Sequence, residues 1–403
     1  MLNPTIKVIP LKEYPLEQLE QEWIALFERS AGCFFLSWNW IGSWLSILPN
    51  FDNVYVVRAV STVVNKPSMN NDALNDYTLD DYALDDLLGF GIFCETHVRR
   101  HGFVTSKQWH LHRTGNDKLD QIWIEYNDFL LSSGDAISSH QIRTAMWQSL
   151  LTSNSRSQNV DEYIVNVAES NSYNALKQSL FNQNHAHSFT FELDSKQLGF
   201  KTALTDSKIQ DYPNKFSKSS FKQINKTRLE LSKLGDLEIE YITNHDAAFE
   251  CLNFAKTWHI DKWASSQTPS GFCNDAFIRF HKKLCEQNNN DQKVVCIVAR
   301  LNNQVIGVNY IFIDATTAYF YLSCLKPQNN SRIKLGLLLH QESVKYAQFQ
   351  NLNYYDFLAG QSRYKQQLSD ITTEFACYTL RRKKASFVIE STLSKVKAYL
   401  VRN

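Results

Sequence analysis

The strongest constraint on this chain is the order of elements between residues 293 and 359. "KVVCIVARLNNQVIGVNYIFID" (293–314) is two β-branched runs joined at Asn302-Asn303, a pair that tolerates the left-handed backbone of a hairpin turn. "TAYFYLSCL" (317–325) reads as another strand, "KLGLLLHQESVKYAQFQ" (334–350) as a helix and "NYYDFLA" (353–359) as a further strand. Antiparallel strands followed by strand, helix and strand specify an α/β fold of the α+β kind, with a mixed sheet flanked by helices.

The rest of the second half agrees with that pattern. "FSKSSFKQINKTRLELSKLG" (216–235) predicts a helix with Lys218, Lys222 and Lys226 on one face and Phe221, Ile224, Leu231 and Leu234 on another. A strand at 237–242, helices at 246–258 and 274–287, and a strand at 374–382 with a helical tail follow. In the first half the periodicity predicts helices at 16–29, 34–48 and 138–153. Strands are expected at 54–60, 89–97, 108–112, 121–124, 162–167 and 188–193. An acidic tract, "NNDALNDYTLDDYALDDLL" (70–88), separates two of these strands and enlarges a hairpin loop.

At 403 residues the chain exceeds one ordinary core. Two domains are expected, 1–200 with an acidic insertion at 65–88, and 201–403. A formal net charge of +1 gives no global attraction to nucleic acid or anionic membrane. The cysteines are scattered with no C-x-x-C pair, as expected of buried thiols in a reducing compartment. The start of the chain has charges and no apolar core, so a cytoplasmic protein without a signal peptide is expected. No charge occurs from Ser30 to Phe51, yet Ser37, Asn39, Ser43, Ser46 and Pro49 interrupt that run. Trp40, Trp44 and Ile47 share a helical face, which predicts a buried core helix and no membrane span.

Three stretches could carry chemistry. In "YFYLSCLKPQNNSRIKLGLLLH" (319–340), Gly336 sits in the first helical turn, where unpaired N–H groups and the positive dipole end suit an anion. Arg332 and Lys334 add charge there, although a glycine needed for helix–sheet packing would look the same. In "FAKTWHIDKWASSQTPSGF" (254–272), His259 and Trp263 lie one turn apart at a helix end. In "LNYYDFLAGQSRYKQQLSD" (352–370), a strand bearing Tyr355 and Asp356 breaks at Gly360 and runs into Tyr364 and Lys365. Asp356 suits either an active-site role or a loop cap. The histidine pairs His97/His101, His110/His112 and His185/His187 lack a third ligand at fixed spacing, so no metal is expected.

Together, "CFFLSWNWIGSWL", "WHIDKW…GF", "RIKLGLLL" and above all "YYDFLAGQSRYKQQL" resemble a known family. It is the GNAT-superfamily acetyltransferases associated with cellulose and exopolysaccharide biosynthesis, related to the Fem-type peptidoglycan aminoacyltransferases. The resemblance runs from about Phe34 to Arg382. It implies two tandem GNAT-like domains, the second an acyltransferase domain using acetyl-CoA or another acyl-CoA as co-substrate. Coenzyme would then be held by Arg332, Lys334, Gly336, Leu337 and Lys365 in a gap where two strands splay apart. Ile333 and Leu338 depart from the superfamily's usual Arg/Gln-x-x-Gly-x-Gly/Ala pattern. Tyr364 becomes the acid for the leaving thiolate, with Lys365 placed to lower its pKa or to bind phosphate. Asp356 and His259 become an acceptor-side base or orienting pair, and Trp263 and Tyr355 substrate contacts. The implied acceptor is a saccharide, peptide or envelope precursor. A tRNA-dependent aminoacyl transfer and a non-enzymatic scaffold in a polysaccharide-making complex are the alternatives; only the first of these involves nucleic acid.

Overall fold

Asn302 and Asn303 both take left-handed backbone, with φ of 49° and 63°, and form the expected tight turn. The computed structural model describes residues 4–61, 84–134, 137–152, 159–181, 188–204, 217–287 and 293–392. Its first half runs β1 (Thr5–Pro10), α1 (Leu16–Glu28), α2 (Trp38–Ser46), β2 (Val54–Val60), β3 (Leu87–Arg100) and β4 (Val104–Leu111). It continues through β5 (Leu130–Leu131), α3 (Ser139–Thr152), β6 (Glu162–Glu169), α4 (Ser170–Phe181) and β7 (Phe189–Ala203). The second half begins with α5 (Lys218–Ser232), β8 (Leu237–Ile242), α6 (His245–Trp263) and α7 (Asp275–Glu286). Then come β9 (Lys293–Leu301), β10 (Gln304–Ile313), β11 (Thr317–Leu325), α8 (Leu335–Phe349), β12 (Tyr354–Ala359), α9 (Arg363–Leu368) and β13 (Ile371–Arg382).

The fold is the expected mixed α/β sheet flanked by helices. Among the described residues one 13-stranded sheet runs β1-β2-β3-β4-β6-β13-β7-β12-β11-β10-β9-β8, with β5 paired to β3. β13 lies between β6 and β7 and β7 also pairs with β12, so the hydrogen-bonded sheet is continuous through both halves. Position 200 lies inside β7. Two of the pairings are parallel. β4 and β6 are in register from Gln108↔Glu162 to His110↔Ile164, and β11 and β12 from Thr317↔Tyr354 to Tyr319↔Asp356. Beyond those residues the pairing stops in both cases. The second strand of each pair then kinks at a left-handed residue, Val167 (φ 54°) or Leu358 (φ 63°).

Four sequence expectations need correction. The predicted helix 34–48 is a 3₁₀ turn at Phe34–Leu36 and then α2; Ser37 separates them because its Oγ caps the Trp40 N–H at 3.3 Å. Residues 121–124 are not a strand; their Ile122/Ile124 alternation buries two side chains of an irregular loop. The helix expected to end at 258 runs on to Trp263. Leu234, assigned to the apolar stripe of α5, lies beyond that helix and is exposed. Residues 70–83 of the acidic tract lie outside the described residues, but β2 and β3 on either side of it do pair antiparallel.

The uncharged, tryptophan-rich stretch forms an aromatic seam between the halves. Phe34 stacks on Phe312 at 4.7 Å, and the Trp40 ring meets Phe280 edge-on at 4.7 Å. Both rings lie in one apolar cluster that joins α1 and α2 to α6, α7 and β9–β11. Burial of large rings in this offset or edge-on geometry favours a fixed relation of the two halves. No helix among the described residues is long and apolar enough to cross a membrane.

Candidate active site

Where β11 and β12 part, a cleft of about 530 Å³ opens, lined by Phe320–Ser323 on one side and Phe357–Lys365 on the other, with the exception of Arg363. Its remaining wall comes from α6 and the following loop, through His259, Lys262, Trp263 and Thr268–Ser270, and from Trp123 and Glu125 of the first half.

The strand end is shaped by a local device. Leu358 is left-handed, and Gly360 at φ 102° occupies a conformation that only glycine adopts without strain. The Lys365 ammonium donates to the carbonyls of Ala359 at 2.7 Å and Leu358 at 3.3 Å. From the opposite side the Ala359 N–H donates to Glu125 Oε2 at 2.7 Å. Asp356 accepts from the Leu358 N–H at 2.7 Å and from the Tyr126 hydroxyl. Short charge-assisted bonds of this kind are the stronger class of hydrogen bond. They hold the bulge at Leu358–Gly360 open against the cleft.

Burial dominates the titration of these groups. It pushes Asp356 up to about 6, despite the opposing bonds from Tyr126 and Leu358. It raises Glu125 to about 7, moderated by the Ala359 N–H and the Lys365 charge. Burial also lowers Lys365, and with help from Lys262 brings His259 down to about 4, so that its ring is neutral near pH 7. His259 Nδ1 and Ser270 Oγ lie 2.7 Å apart, and Ser270 Oγ also accepts the Phe272 N–H. Tyr364 is pushed up to about 12 by burial. It therefore carries its proton; the opposing influence comes from the Ser362 side chain, while Lys365, expected to lower it, is directed to the β12 carbonyls. Its ring stacks on His340 at 5.0 Å.

The sequence-predicted residues divide accordingly. His259, Trp263, Tyr364 and Lys365 meet in the cleft. Asp356 is buried beneath it with Tyr126, and Tyr355 is buried with its hydroxyl 3.0 Å from His340 Nδ1. Arg332, Lys334, Gly336 and Leu337 sit at the start of α8, outside the cleft lining. The N-cap residue of that helix, Lys334, makes no side-chain cap, and its own N–H donates to Thr227 Oγ1 at 2.8 Å. A Cβ built on Gly336 would meet only Leu325 Cδ1, at 3.3 Å, so the approach to its backbone is open. Arg332 and Lys334 are exposed there. An accessible, positively flanked helix start whose next N–H groups have no side-chain partner among the described residues fits a pyrophosphate group.

Two lining residues escaped the sequence reading, Trp123 and Glu125, and with them the loop that carries them. The loop leaves β4 and is stitched to the second half. Tyr321 donates to the Ile122 carbonyl at 2.6 Å, Gln121 Nε2 to that of Pro269 at 3.0 Å, and Asn274 Nδ2 to that of Lys118 at 2.6 Å. Left-handed backbone at Trp123 and Tyr126 turns it, and Asp120 anchors its start through the N–H groups of Thr114 and Gly115. Nothing in "QIWIEYNDF" signals a contact with another part of the chain.

The other histidines are accounted for locally: His110 by Thr96 and His112 by Asn127, while His97 and His101 are exposed and His185 and His187 lie outside the described residues. Among the described residues no group of three or more His, Cys, Asp or Glu could hold a metal ion.

Residues 218–366, which span α5 to most of α9, match the family model of the acetyltransferase (GNAT) domain. Among solved structures, FemX aligns at a TM-score of 0.54 and 10% identity over 89% of this chain and 95% of that one. A conserved protein of unknown function from Bacteroides thetaiotaomicron aligns at 0.53 and 12% identity over 95% and 100%. No curated protein matches the sequence. The likeness to solved structures establishes the fold, and the domain match falls on the segment whose strands splay around the cleft. The chain thus carries a GNAT acetyltransferase domain at 218–366, and the protein is an acyltransferase.

Proposed function

We propose that the cleft binds an acyl-CoA and transfers its acyl group to an amine or hydroxyl of a saccharide, peptide or envelope precursor. One observation carries this reading: the β11/β12 splay opens a cleft of about 530 Å³ with Tyr364, protonated and half-buried, on its wall. Acyl-CoA supplies an activated thioester. Arg332, Lys334 and the N–H groups beside Gly336 would hold its pyrophosphate, and Tyr364 would protonate the departing thiolate. Trp263, 40% exposed at the rim, offers a flat apolar face to the acceptor. The resemblance to exopolysaccharide-associated acetyltransferases supports a saccharide acceptor. The division into two tandem GNAT-like domains at about residue 200 belongs to the same proposal.

Acetyl-CoA is expected to raise the melting temperature. A ligand that binds only the folded state adds about 2.7 kcal/mol at a hundredfold excess over Kd. Gly336→Trp should remove that rise. Tyr364→Phe should leave it and slow thiol release from acetyl-CoA by about a hundredfold. A fold shared with FemX and the exposed Lys218, Lys222 and Lys226 support aminoacyl-tRNA as the second donor. Stabilisation by aminoacyl-tRNA and by no acyl-CoA would favour it.

A further inference from the structure

We propose that Glu125, carried into the cleft by the first half of the chain, is the base that takes the acceptor's proton. The inference rests on the acyl-CoA reading above and assigns the half of the reaction that Tyr364 leaves open.

The geometry makes the case. Glu125 lines the cleft between Trp123 and the kinked end of β12. One carboxylate oxygen, Oε2, is fixed by the Ala359 N–H at 2.7 Å. Among the described residues no hydrogen bond engages Oε1. A carboxylate held at one oxygen with the other unengaged is positioned as an acceptor. The loop that carries it is pinned at both ends. Two residues further on, Asn127 donates its N–H to the Val167 carbonyl at 3.1 Å and its Nδ2 to that of Leu111 at 2.8 Å. Asn127 Oδ1 lies 3.0 Å from His112 Nδ1. Glu125 therefore reaches the cleft from a rigid support, as a catalytic group requires.

The alternative bases in the same space are less suited. His259 has Nδ1 engaged by Ser270, and burial has weakened it. Asp356 has its carboxylate engaged by Tyr126 and the Leu358 N–H, below the cleft lining. The charged and titratable groups facing Glu125 are Tyr364 and Lys365 on α9, Asp356 on β12, Tyr321 on β11, and His259 and Lys262 on α6. Lys365 favours its ionised form and Asp356 opposes it. Burial outweighs both and leaves the carboxyl near 7, where a general base works with least compromise between protonation state and strength.

In the reaction, the acceptor nitrogen or oxygen bonds to the thioester carbonyl carbon as the carbon–sulfur bond breaks. The proton lost by the acceptor goes to Glu125 Oε1, and the sulfur takes the Tyr364 proton. Glu125 returns its proton to water, and the Tyr364 phenolate is reprotonated from water. The products are the acylated acceptor and a free thiol.

The test compares the full-length protein with Glu125→Gln, whose amide oxygen can still accept the Ala359 N–H, and with Glu125→Asp. Acetyl-CoA binding is measured by calorimetry, and thiol release from acetyl-CoA with water and with glucosamine as acceptors. Difference infrared spectroscopy follows carboxyl protonation. The wild-type rate should rise with pH through about 7 and then level. Glu125→Gln should bind acetyl-CoA with unchanged affinity, release thiol at least about a hundredfold more slowly, and show no rising limb. Glu125→Asp should recover part of the rate, and a carboxyl band titrating near pH 7 should vanish in Glu125→Gln. Normal binding with an unchanged rate and pH profile in Glu125→Gln would overturn the assignment, as would a wild-type protein no faster than the variant. Failure of acetyl-CoA to bind the wild-type protein would instead sink the donor reading.

Discussion

The pairs β4/β6 and β11/β12 begin alike: each is parallel over three aligned residues, and each kinks at one left-handed residue shortly afterwards. They end differently. Past Ile164 the first pair is bridged by Asn127, bonded to Leu111, Val167 and His112. The space left nearby is a cavity of about 170 Å³ at the start of α3, bordered by Asp128, Glu169 and Arg143. Arg143 is committed to Asp128 at 2.7 Å. Two carboxylates against one neutralised guanidinium do not suit a pyrophosphate. The second pair remains open, and its helix start has two exposed cations nearby. One loop makes the difference, closing the first splay with Asn127 and furnishing the second with Glu125. Under the proposed reading, a strand geometry that occurs in both halves serves as a support in one and as a working site in the other.

The largest effect expected from this comparison is on donor binding. Acetyl-CoA should occupy one site per chain, and Ser323→Trp, which fills the open splay, should weaken binding by about a thousandfold, some 4 kcal/mol. Calorimetry reads both. A second site, or near-normal affinity in the variant, would mean that the first splay accepts the donor and would break the comparison.

The sequence carried much of the second half and little of the contact between halves. The run from β9 to β12 was legible because its strands are β-branched, its turn is Asn302-Asn303 and its helix is long. Gly360, Tyr364 and Lys365 stood out because a glycine break followed by polar, ring-bearing residues is unusual beside a core strand. The elements of the first half were also legible in the main, since Leu19, Trp23 and Leu26 or Ile142, Met146 and Trp147 repeat at helical spacing. Glu125 was not, for a physical reason. Ile122 and Ile124 alternate as in a strand, but both are buried by tertiary contacts of a loop whose path depends on Asp120 and on two left-handed residues. The insertion of β13 between β6 and β7 is likewise invisible to local pattern, because pairing partners far apart in sequence leave no periodic signal. Asp356 shows the limit of composition: a conspicuous acid on a strand suited either chemistry or a loop cap, and only the fold shows its carboxylate joining Tyr126 to the bulge.

Closing the first splay should be worth less than occupying the second. Asn127 is fully buried and satisfies His112 and the Leu111 carbonyl. Asn127→Ala leaves both without that partner, a loss of about 1–3 kcal/mol. Urea unfolding should show the loss while acetyl-CoA stoichiometry stays at one. A variant as stable as the wild type would show that the bridge contributes nothing to the closure.

The smallest effect sharpens the comparison from the other end of the same loop. Unfolded, Glu125 releases its proton near the ordinary carboxyl value of 4.5, and folded it does so near 7 because it is buried. Between those values the folded state binds more protons than the unfolded one, so stability falls as pH rises and levels off above the folded value. The full shift corresponds to about 3 kcal/mol. Water reaching the open cleft raises the local dielectric and should reduce the visible part to about 1–2 kcal/mol. Glu125→Gln keeps an acceptor for Ala359 and removes the titration. Its unfolding free energy should therefore fall less than that of the wild type between about pH 5 and about pH 8. Asp356, raised to about 6, contributes a slope of the same sign to both proteins, so the difference between them reports Glu125 together with its coupling to Asp356. Parallel stability curves would mean that Glu125 is ionised in the folded protein throughout this range. Its carboxylate would then be a fixed acceptor for the β12 bulge, and the two ends of the loop would both be structural.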